Sequence, residues 1–565
     1  MEWTEVFALP KLRTVFMAVA IAGLAPVFLN IAASAQTETA LYKYPNTSSN
    51  DTGIVWPGIL IQGVDGELYG TIQTNGANSQ GTVFKMTTDG DYTQVYNFCA
   101  EGGGCLVTGA IPDGGVTLGS DGNYYGTTQN GGAFAFGSVY KLTPTGTLTN
   151  LWSFTEDHTT QHINDAGFPS YAPLLGQDGN FYGVASGDYT GDYGDFYKVT
   201  AKGAFTPHNF NFTDGDGPNL PVQGSDGSFY GTTQFGGDPT CKCGVVYKTT
   251  TAGKITVLHN FTGGASDGNR PTGILVQGKD GDFYGTTYSG GSNGLGTIFK
   301  ISSTKVYKLI HSFTGDPDGT HPLAGMIAGS DGNLYGTTTT GGSHNGGSVY
   351  KLTTAGALSI VYNFCAKSGC VDGFNLNTPL IQHTNGKFYG NTSGNSLGGS
   401  VFYSLDTGLD PFVKLVEGKG KVAAKVGILG QGFTSATSVK FNGAAAAFTK
   451  VSDTYIVATV PAAAKSGSVS VTTSEGILES SNTFLVTPAI KTIAPASGPV
   501  GTSVMITGTG FTGATKVTVG GVSATFTVNS ASQITAKVPV GAKTGKIVVT
   551  TPGGTATSTS TFTLT

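Results

Sequence analysis

The chain has 565 residues, of which 88 are glycine and only 12% are charged. That composition excludes coiled coils and long charged helices, while 38% hydrophobic and 10% aromatic residues are too many for a disordered chain. The net charge is −5 and the 30 basic residues form no cluster, so nothing indicates nucleic-acid binding. We expect an all-β protein of several domains with many tight turns.

The first 35 residues have the pattern of an export signal. Lys11 and Arg13 precede a long apolar run, and the A-x-A pattern at 33–35 offers a cleavage point. An uncleaved membrane anchor is the alternative, because the run approaches spanning length. The A-x-A ending favours cleavage, so we predict a signal peptide over 1–35 and a secreted or cell-surface protein without a membrane span after cleavage.

Residues 64–392 contain seven copies of one motif, of which SDGNLYGTT at 330–338 is typical. Each copy has an apolar segment, the Asp-Gly motif, a G-x-V-Y-K segment and, in six copies, an aromatic segment ending in Phe. These four segments predict four antiparallel strands per copy. The second strand carries the repeat tyrosines Tyr69, Tyr125, Tyr182, Tyr230, Tyr284, Tyr335 and Tyr389.

The Asp-Gly pair of each copy predicts a type I′ hairpin turn. Such a turn needs positive φ at both central residues, which Asp or Asn followed by Gly tolerates best. Asn385 replaces Asp in the last copy, which keeps the turn chemistry and removes the charge. The motif is therefore interpreted as scaffold rather than as a metal ligand.

The period of about fifty residues and the count of seven predict a seven-bladed β-propeller over 36–409. The last copy lacks the aromatic segment, whereas LYKYPN at 41–46 resembles that segment and precedes the first copy. We expect 41–46 to complete the last blade. An open superhelical solenoid is the alternative.

Residues 410–487 and 488–565 are two copies of a second unit. They align at an offset of 78 without gaps, for example GQGFTSATSVKFNG at 430–443 with GTGFTGATKVTVGG at 508–521. Short strands with Gly-rich turns in under eighty residues predict an Ig-like β-sandwich for each copy.

Six cysteines fit an oxidising compartment. The sequence predicts two local disulfides, Cys99 with Cys105 and Cys365 with Cys370, because both pairs follow the same VYNF segment. A zinc site would need further ligands at suitable spacing, which are missing. Cys241 and Cys243 stay open between a free dithiol and an unusual bridge.

Acidic residues recur in the loop after the aromatic segment: Asp165, Asp216, Asp267, Asp318 and Asp372. Two loops hold paired carboxylates that are candidate calcium ligands, Asp214 with Asp216 and Asp316 with Asp318. Turns between blades are the alternative, because Asp-Gly and Asp-Pro form turns. In both cases we expect an acidic rim on one face, which is the best candidate for ligand contact.

Histidines do not predict a catalytic set. His158 and His162 could hold a metal, or they belong to a long polar loop. His208, His259 and His311 stand two residues before a repeat Phe, where other copies have Tyr or Trp, so we interpret this alignment column as packing. We predict no catalytic residues and no cofactor other than calcium.

Two resemblances cover nearly the whole chain after the signal segment. PASGPVGTSVMITGTGF at 495–511 resembles an IPT/TIG domain, and 410–487 resembles a diverged one. GSVYKLT at 137–143 and 347–353 carries a resemblance to bacterial extracellular GloVer or HAF tandem repeats. The repeat family implies no established chemistry, whereas IPT/TIG domains imply binding, spacing or adhesion at a cell surface.

These observations predict a monomeric, secreted or cell-surface binding or structural protein whose propeller loops contact a glycan or a cell-surface protein. The alternative is an extracellular polysaccharide-active enzyme, a hydrolase or lyase, which would need residues that break the repeat symmetry near the axis. A purely architectural role in an envelope or matrix is a third hypothesis.

Overall fold

The structure is a computed structural model that describes residues 36–44, 59–74, 76, 79–100, 105–155, 165–187, 193–395 and 399–565. The predicted signal segment and the His158 and His162 pair lie outside these ranges. Within them nearly all regular structure is β-strand, which confirms the all-β prediction. The described helices are two single 3₁₀ turns, Ser368–Cys370 and Phe433–Ser435, and no described helix is long and apolar enough to cross a membrane.

The repeat region contains thirty described strands. In chain order they are β1 Thr37–Lys43, β2 Ile61–Gln62, β3 Leu68–Ile72, β4 Thr82–Met86, β5 Tyr92–Asn97, β6 Val116–Leu118, β7 Tyr124–Thr128, β8 Ser138–Leu142, β9 Leu148–Ser153, β10 Leu174–Leu175, β11 Phe181–Ala185, β12 Asp195–Val199, β13 Phe205–Asn209, β14 Asp216–Pro218, β15 Val222–Gln223, β16 Phe229–Phe235, β17 Val245–Thr249, β18 Thr256–Asn260, β19 Gly268–Pro271, β20 Val276–Gln277, β21 Phe283–Gly290, β22 Thr297–Ile301, β23 Tyr307–Ser312, β24 Met326–Ala328, β25 Leu334–Thr337, β26 Ser348–Leu352, β27 Leu358–Asn363, β28 Ile381–Gln382, β29 Phe388–Thr392 and β30 Val401–Asp406.

These strands form seven antiparallel sheets among the described residues. Sheets 1, 2, 3 and 6 each hold four consecutive strands: β2–β5, β6–β9, β10–β13 and β24–β27. Sheet 4 (β14–β18) and sheet 5 (β19–β23) each include one further short strand at the inner edge. Sheet 7 is formed by β28, β29, β30 and β1.

Sheet 7 takes its outer strand from the beginning of the described chain. β1 pairs antiparallel with β30, from Thr37 opposite Asp406 to Lys43 opposite Val401. Tyr44 follows β1, is 3% exposed, and packs edge-on against Phe84 of sheet 1. Tyr44 therefore takes the place that a repeat Phe takes at the other joints between sheets.

Apolar cores lie between neighbouring sheets. At most joints the repeat tyrosine of one sheet packs on an aromatic residue at the start of the corresponding strand in the next sheet. Tyr230, for example, packs on Phe283 with ring centroids 3.8 Å apart. One cluster joins sheet 7 to sheet 1 and includes Tyr389, Phe402 and Leu68. The seven sheets, each packed on its neighbours and sheet 7 on sheet 1, are called the sheet ring below.

The Asp-Gly turn is not the predicted type I′ turn. In the copy at 330–338 the N–H of Gly332 donates to the carbonyl of Gly329, so Ser330 and Asp331 are the central residues. Of these residues only Gly332 has positive φ, at 82°. The turn is therefore a type I turn followed by a glycine bulge, for which Asp-Gly is also a suitable pair.

The turn aspartate holds the repeat tyrosine. Oδ2 of Asp331 accepts hydrogen bonds from the Tyr335 hydroxyl at 3.0 Å and from Nζ of Lys351 at 2.9 Å. The same three-residue contact occurs in six copies. In the seventh, Nδ2 of Asn385 donates to the hydroxyl of Tyr389 instead. These contacts are internal to the turn and strand, which agrees with the interpretation as scaffold.

Two sandwiches follow the sheet ring, each around its own core. The strands of sandwich 1 are β31 Lys414–Leu415, β32 Lys419–Lys421, β33 Lys425–Leu429, β34 Ser438–Phe441, β35 Ala444–Ala446, β36 Phe448–Lys450, β37 Tyr455–Thr459, β38 Val469–Thr473, β39 Gly476–Glu479 and β40 Leu485–Thr487. Those of sandwich 2 are β41 Ala489–Ala494, β42 Ser497–Gly498, β43 Ser503–Thr509, β44 Lys516–Val519, β45 Val522–Ser523, β46 Phe526–Ser530, β47 Gln533–Lys537, β48 Gly545–Thr551 and β49 Gly554–Leu564. Matching strands keep the 78-residue offset, since β34 and β44 begin at 438 and 516.

Replacing Gly231 by Ala is expected to destabilise the sheet ring by about 1–3 kcal/mol, because a Cβ there has no room. It would lie 2.5 Å from the ring of Tyr247, which faces Gly231 across the strand pair. Urea unfolding measures the effect. Gly418→Ala is the matched control, since nothing lies within 4 Å of a Cβ at Gly418. Equal stability of the two variants would contradict the prediction.

Replacing Tyr44 by Ala is expected to lower stability by about 3 kcal/mol or more, because it removes a buried ring from the joint between sheets 7 and 1. The thermal unfolding midpoint reports the change. Lys43→Ala changes an exposed residue of β1 and should stay within about 0.5 kcal/mol of the parent. A Tyr44 variant as stable as the Lys43 variant would show that this joint does not support the fold.

Candidate functional site

The five acids expected to form an acidic rim do not form one. Asp165 and Asp372 are fully buried, and Asp267 and Asp318 are 6% and 5% exposed. Their carboxylates accept hydrogen bonds from their own loops: Asp318 accepts from the N–H of Thr314 at 3.0 Å and from its hydroxyl at 2.7 Å. These four acids are therefore internal clamps of the loops that join the sheets, whereas the fifth, Asp216, lies half-buried on β14.

The column of His, Tyr and Trp before the repeat Phe supplies the ring donor for these clamps. Nε1 of Trp152 donates to Asp165 at 2.9 Å, and the hydroxyl of Tyr362 donates to Asp372 at 2.9 Å. Nε2 of His311 lies 2.7 Å from the carboxylate of Asp318. The interpretation as packing was therefore incomplete, because what the three residue types share is a hydrogen-bond donor on a ring.

The four predicted calcium ligands are not gathered into one site. Asp318 is occupied by its clamp, the hydroxyl of Ser343 donates to Asp316 at 3.1 Å, and Asn211 donates to Asp214. Asp216 lies on β14. No group of three or more His, Cys, Asp or Glu among the described residues is placed to hold a metal. Calcium therefore stays a prediction from the sequence pattern alone.

All six cysteines are paired. The predicted disulfides Cys99–Cys105 and Cys365–Cys370 are present, and a third joins Cys241 to Cys243. All three lie in loops of the sheet ring, where they fix short segments without contributing to a metal or redox centre.

One cavity of about 270 Å³, called the outer cavity, is lined entirely by residues of the sheet ring. All seven copies contribute, chiefly through the segment that precedes the first strand of each sheet. Its lining includes one carboxylate, one guanidinium, amides and hydroxyls, from Asp113, Tyr171, Gln234, Arg270, Thr272 and Asn377. The copies thus contribute different chemistry to this cavity, chiefly from positions within two residues of the recurring proline.

The residue before the recurring proline, called the rim position, shares an unusual backbone conformation among several copies and differs in side chain. The residue before the proline that opens each segment has positive φ: 58° at Ile111, 60° at Phe168, 58° at Arg270 and 53° at His321. Such φ values are uncommon and strained for residues other than glycine. Of these four residues, Arg270 lines the outer cavity.

Burial shifts the acid–base properties of two lining residues. Burial raises the pKa of the Asp113 carboxyl, although a hydrogen bond from Gln73 partly opposes the shift. Burial likewise raises the pKa of Tyr171, whose hydroxyl donates to Oδ1 of Asn219 at 3.1 Å. Tyr171 is therefore a fixed neutral phenol.

A second cavity of about 290 Å³, called the inner cavity, continues from the outer one. The two share Ile59, Ile274, Ala324 and Pro379. Sandwich 1 contributes Lys414 to its lining, and burial lowers the pKa of that amine.

Sandwich 1 rests on the turns of the sheet ring at this end. The hydroxyls of Ser452 and Thr454 both donate to the carbonyl of Val64 at 3.0 Å. Nε2 of Gln431 donates to the hydroxyl of Thr384 at 2.8 Å. Sandwich 1 thus lines the inner cavity, whereas the outer cavity lies at the other end.

Comparison with protein families identifies both parts of the chain. A family model described as the Gloeobacter/Verrucomicrobia repeat matches residues 25–167 and 169–403. The chain belongs to this repeat family. The IPT/TIG domain model matches 417–486 and 488–565, which confirms the resemblance of both C-terminal units to IPT/TIG domains. No curated protein matches this repeat protein.

Solved structures similar to the repeat protein share little sequence with it. The surface glycan-binding protein PbSGBP-B from Prevotella bryantii is 18% identical over 26% of this chain and 37% of its own, with a TM-score of 0.20. SGBP-B of a xyloglucan utilization locus in Bacteroides uniformis is 20% identical over 27% and 48%, with a TM-score of 0.15. An extracellular domain of a hybrid two-component system from B. thetaiotaomicron is 8% identical over 91% and 75%, with a TM-score of 0.42. The repeat protein spans less than half the length of the first two, and these similarities carry no inference about function.

The lining of the outer cavity was not predicted from the sequence. Asp113, Tyr171 and Arg270 lie next to or one residue beyond the recurring proline, and none of them was singled out in the sequence. The available signal was an alignment column in which the proline recurs and the residue before it changes, as in Ile111-Pro112 and Arg270-Pro271.

The clamp at Asp267 is expected to make stability depend on acid. Burial alone would raise the pKa of Asp267, but hydrogen bonds from His259 and from the N–H of Thr262 lower it to about 2. A carboxyl with a lowered pKa stabilises the fold above its ordinary value of 3.8, and that contribution is lost as the pH falls toward 2. Asp267→Asn should therefore lose about 2 kcal/mol or more at pH 7 and less at pH 2.

Thermal unfolding at pH 7, 4 and 2 measures this difference. Asp410→Asn, at an exposed position, serves as the control. A penalty for Asp267→Asn that is the same at every pH would contradict the assignment of an ionised clamp.

Proposed function

We propose that the sheet ring is a closed seven-bladed β-propeller and that the protein is a secreted or cell-surface binding protein. In this proposal the outer cavity takes the end of a glycan, and the two IPT/TIG sandwiches act as spacer or adhesion modules. The observation that carries it is the contrast between the copies: they repeat their packing residues and differ where they line the outer cavity.

The pairing at sheet 7 supports closure. β1 and β30 come from opposite ends of the repeat region and form one antiparallel ladder. One apolar cluster joins sheet 7 to sheet 1. An open solenoid would leave both of these faces uncovered, which repeat proteins avoid with polar capping units.

The lining of the outer cavity suits a hydroxyl-rich ligand. Asp113 offers a strong acceptor, the amides of Gln234 and Asn377 offer both donors and acceptors, and Thr272 adds a hydroxyl. The volume of about 270 Å³ is near the lower end for ligand pockets, which favours a terminal sugar over a long chain segment.

Binding is favoured over hydrolysis by the number of carboxylates. A glycoside hydrolase generally needs two carboxyl groups that flank the bond it cleaves. Asp113 is the one carboxylate among the described residues that line the outer cavity. The enzyme hypothesis therefore has no observed pair on which to build.

A glycan array probed with the purified exported chain tests the proposal, with calorimetry on the best ligands and a parallel run in EDTA for the calcium prediction. Asp113→Asn is expected to weaken binding by about tenfold or more, because it removes a charged acceptor. Glu475→Gln, at an exposed position of sandwich 1, should bind as the parent does. Absence of any saturable glycan binding would overturn the proposal, and release of shorter sugars would favour the enzyme.

A further inference from the structure

We propose that Arg270 makes the outer cavity selective for acidic sugars by binding the carboxylate of a uronic acid at the end of a glycan. The inference rests on the proposed glycan binding and specifies the class of ligand.

Two aromatic rings hold the guanidinium of Arg270. Its Cζ lies 5.2 Å from the ring centre of Phe235 and 5.6 Å from that of Tyr288. Phe235 ends β16 of sheet 4, whereas Tyr288 lies on β21, opposite Arg270 in the β19–β21 pair. Contacts of a cation with ring faces orient the planar group without using its N–H donors.

The backbone of Arg270 is fixed as well. Its N–H donates to the carbonyl of Cys243 at 2.9 Å, and its φ is 58°. Pro271 follows and packs where the preceding sheet has Gly244. The side chain therefore begins at a defined point on the rim instead of moving with a loose loop.

Arg270 has no ion-pair partner among the described residues. The repeat lysines differ in this respect, because each pairs with the aspartate of its own turn, as Lys248 does with Asp226 at 2.8 Å. Arg270 is thus an exposed cation with free N–H donors beside a cavity of the size of a sugar, so an anion from outside the protein can pair with it. The guanidinium fork matches a carboxylate through two parallel hydrogen bonds.

Neighbouring groups fit the body of an acidic sugar. Thr272 and Gln234 line the cavity beside Arg270 and supply partners for hydroxyls. Phe235 is 38% exposed, so its free ring surface can pack on the apolar face of a sugar. His321 extends the row of rings, 4.5 Å from Tyr288, but burial lowers its pKa, so it adds no competing cation at pH 7.

Calorimetry with the full exported chain tests the inference. The probes are oligomers of galacturonate, of alginate and of glucuronate-terminated sugars, each compared with the same oligomer after its carboxyl groups are reduced to alcohols. The acidic form is expected to bind about tenfold or more tightly than its reduced form. Arg270→Gln should remove this preference while leaving the reduced form bound as before, and Arg270→Lys should keep part of it.

Two further variants test the ring contact of Arg270 and the importance of its position at the cavity. Phe235→Leu keeps the cation and removes one ring, and it should reduce the preference without abolishing binding. Lys242→Gln removes another exposed cation that lies over a ring, that of Phe212, but does not line the cavity, so it should leave the preference unchanged. Unfolding midpoints confirm that each variant is folded.

The outcomes distinguish this inference from the proposed function. Equal binding of acidic and reduced oligomers, or an unchanged preference in Arg270→Gln, would overturn the role of Arg270 and leave glycan binding intact. Stronger binding of sulfated oligosaccharides than of uronates would overturn the choice of carboxylate. No binding of any of these oligomers would overturn the role of Arg270, whereas the proposed function is overturned only if the glycan array also shows no saturable binding.

Discussion

Packing of aromatic rings between adjacent sheets is the interaction on which the repeat region depends. The repeat tyrosine of one sheet lies on a ring or leucine of the next, as Tyr125 does on Phe181 with centroids 3.8 Å apart. Each aromatic pair adds about 0.5–1.5 kcal/mol beyond the burial of its area. The hydroxyl of that tyrosine must keep a hydrogen bond, and the turn aspartate accepts it, at 2.9 Å for Asp121. The motif therefore joins turn, strand and sheet interface in one contact.

Each sheet packs on a neighbour through both of its faces. A row of sheets with two ends would therefore leave one face of the first sheet and one face of the last sheet exposed. Here β1 supplies the missing strand of sheet 7, and Tyr44 supplies the missing ring against Phe84. The residue is a tyrosine rather than a phenylalanine, and its hydroxyl donates to Oδ1 of Asn391 at 3.2 Å. The joint between sheets 7 and 1 thus repeats the chemistry of the other joints with chain from a distant position.

The sequence was sufficient to predict this scaffold because repetition averages out local ambiguity. Seven copies of four segments predict the four main strands of each sheet even where one copy is weak, but they do not predict the fifth strands β14 and β19. The turn type was wrong for a local reason: Asp-Gly suits both a type I′ turn and a type I turn with a bulge, and the choice depends on where the strand pairing ends. In the copy at 330–338 that pairing ends one residue earlier than the motif suggests, at Gly329.

The prediction of an acidic rim was wrong for a different reason, because an Asp-Gly pair in a loop does not reveal whether the aspartate is buried. Asp267 and Asp65 look alike in the sequence, but Asp267 is 6% exposed and clamps a loop, whereas Asp65 borders an open turn. The missing information lay in the alignment position two residues before the repeat Phe. Trp152, His259 and Tyr362 occupy that position and share only a hydrogen-bond donor on a ring. An alignment position that keeps a hydrogen-bond donor while the residue type changes indicates a buried acceptor nearby.

The cavity lining escaped prediction because its residues vary, and the structure explains why they are free to vary. At each rim position the N–H donates to a carbonyl of the preceding sheet, for example Phe168 to Phe136 at 2.9 Å and His321 to Leu295 at 2.8 Å. The following proline packs close to the glycine that opens the V-Y-K segment, as Pro322 does at Gly296. Backbone contacts and the proline ring hold the left-handed conformation whichever residue precedes the proline. The side chain at this position packs only beside the joint, as Phe168 does edge-on against Phe136 and His321 does on Tyr288. Because the backbone contacts at the rim position do not depend on the side chain, the residue there can change while the buried apolar clusters between the sheets stay the same.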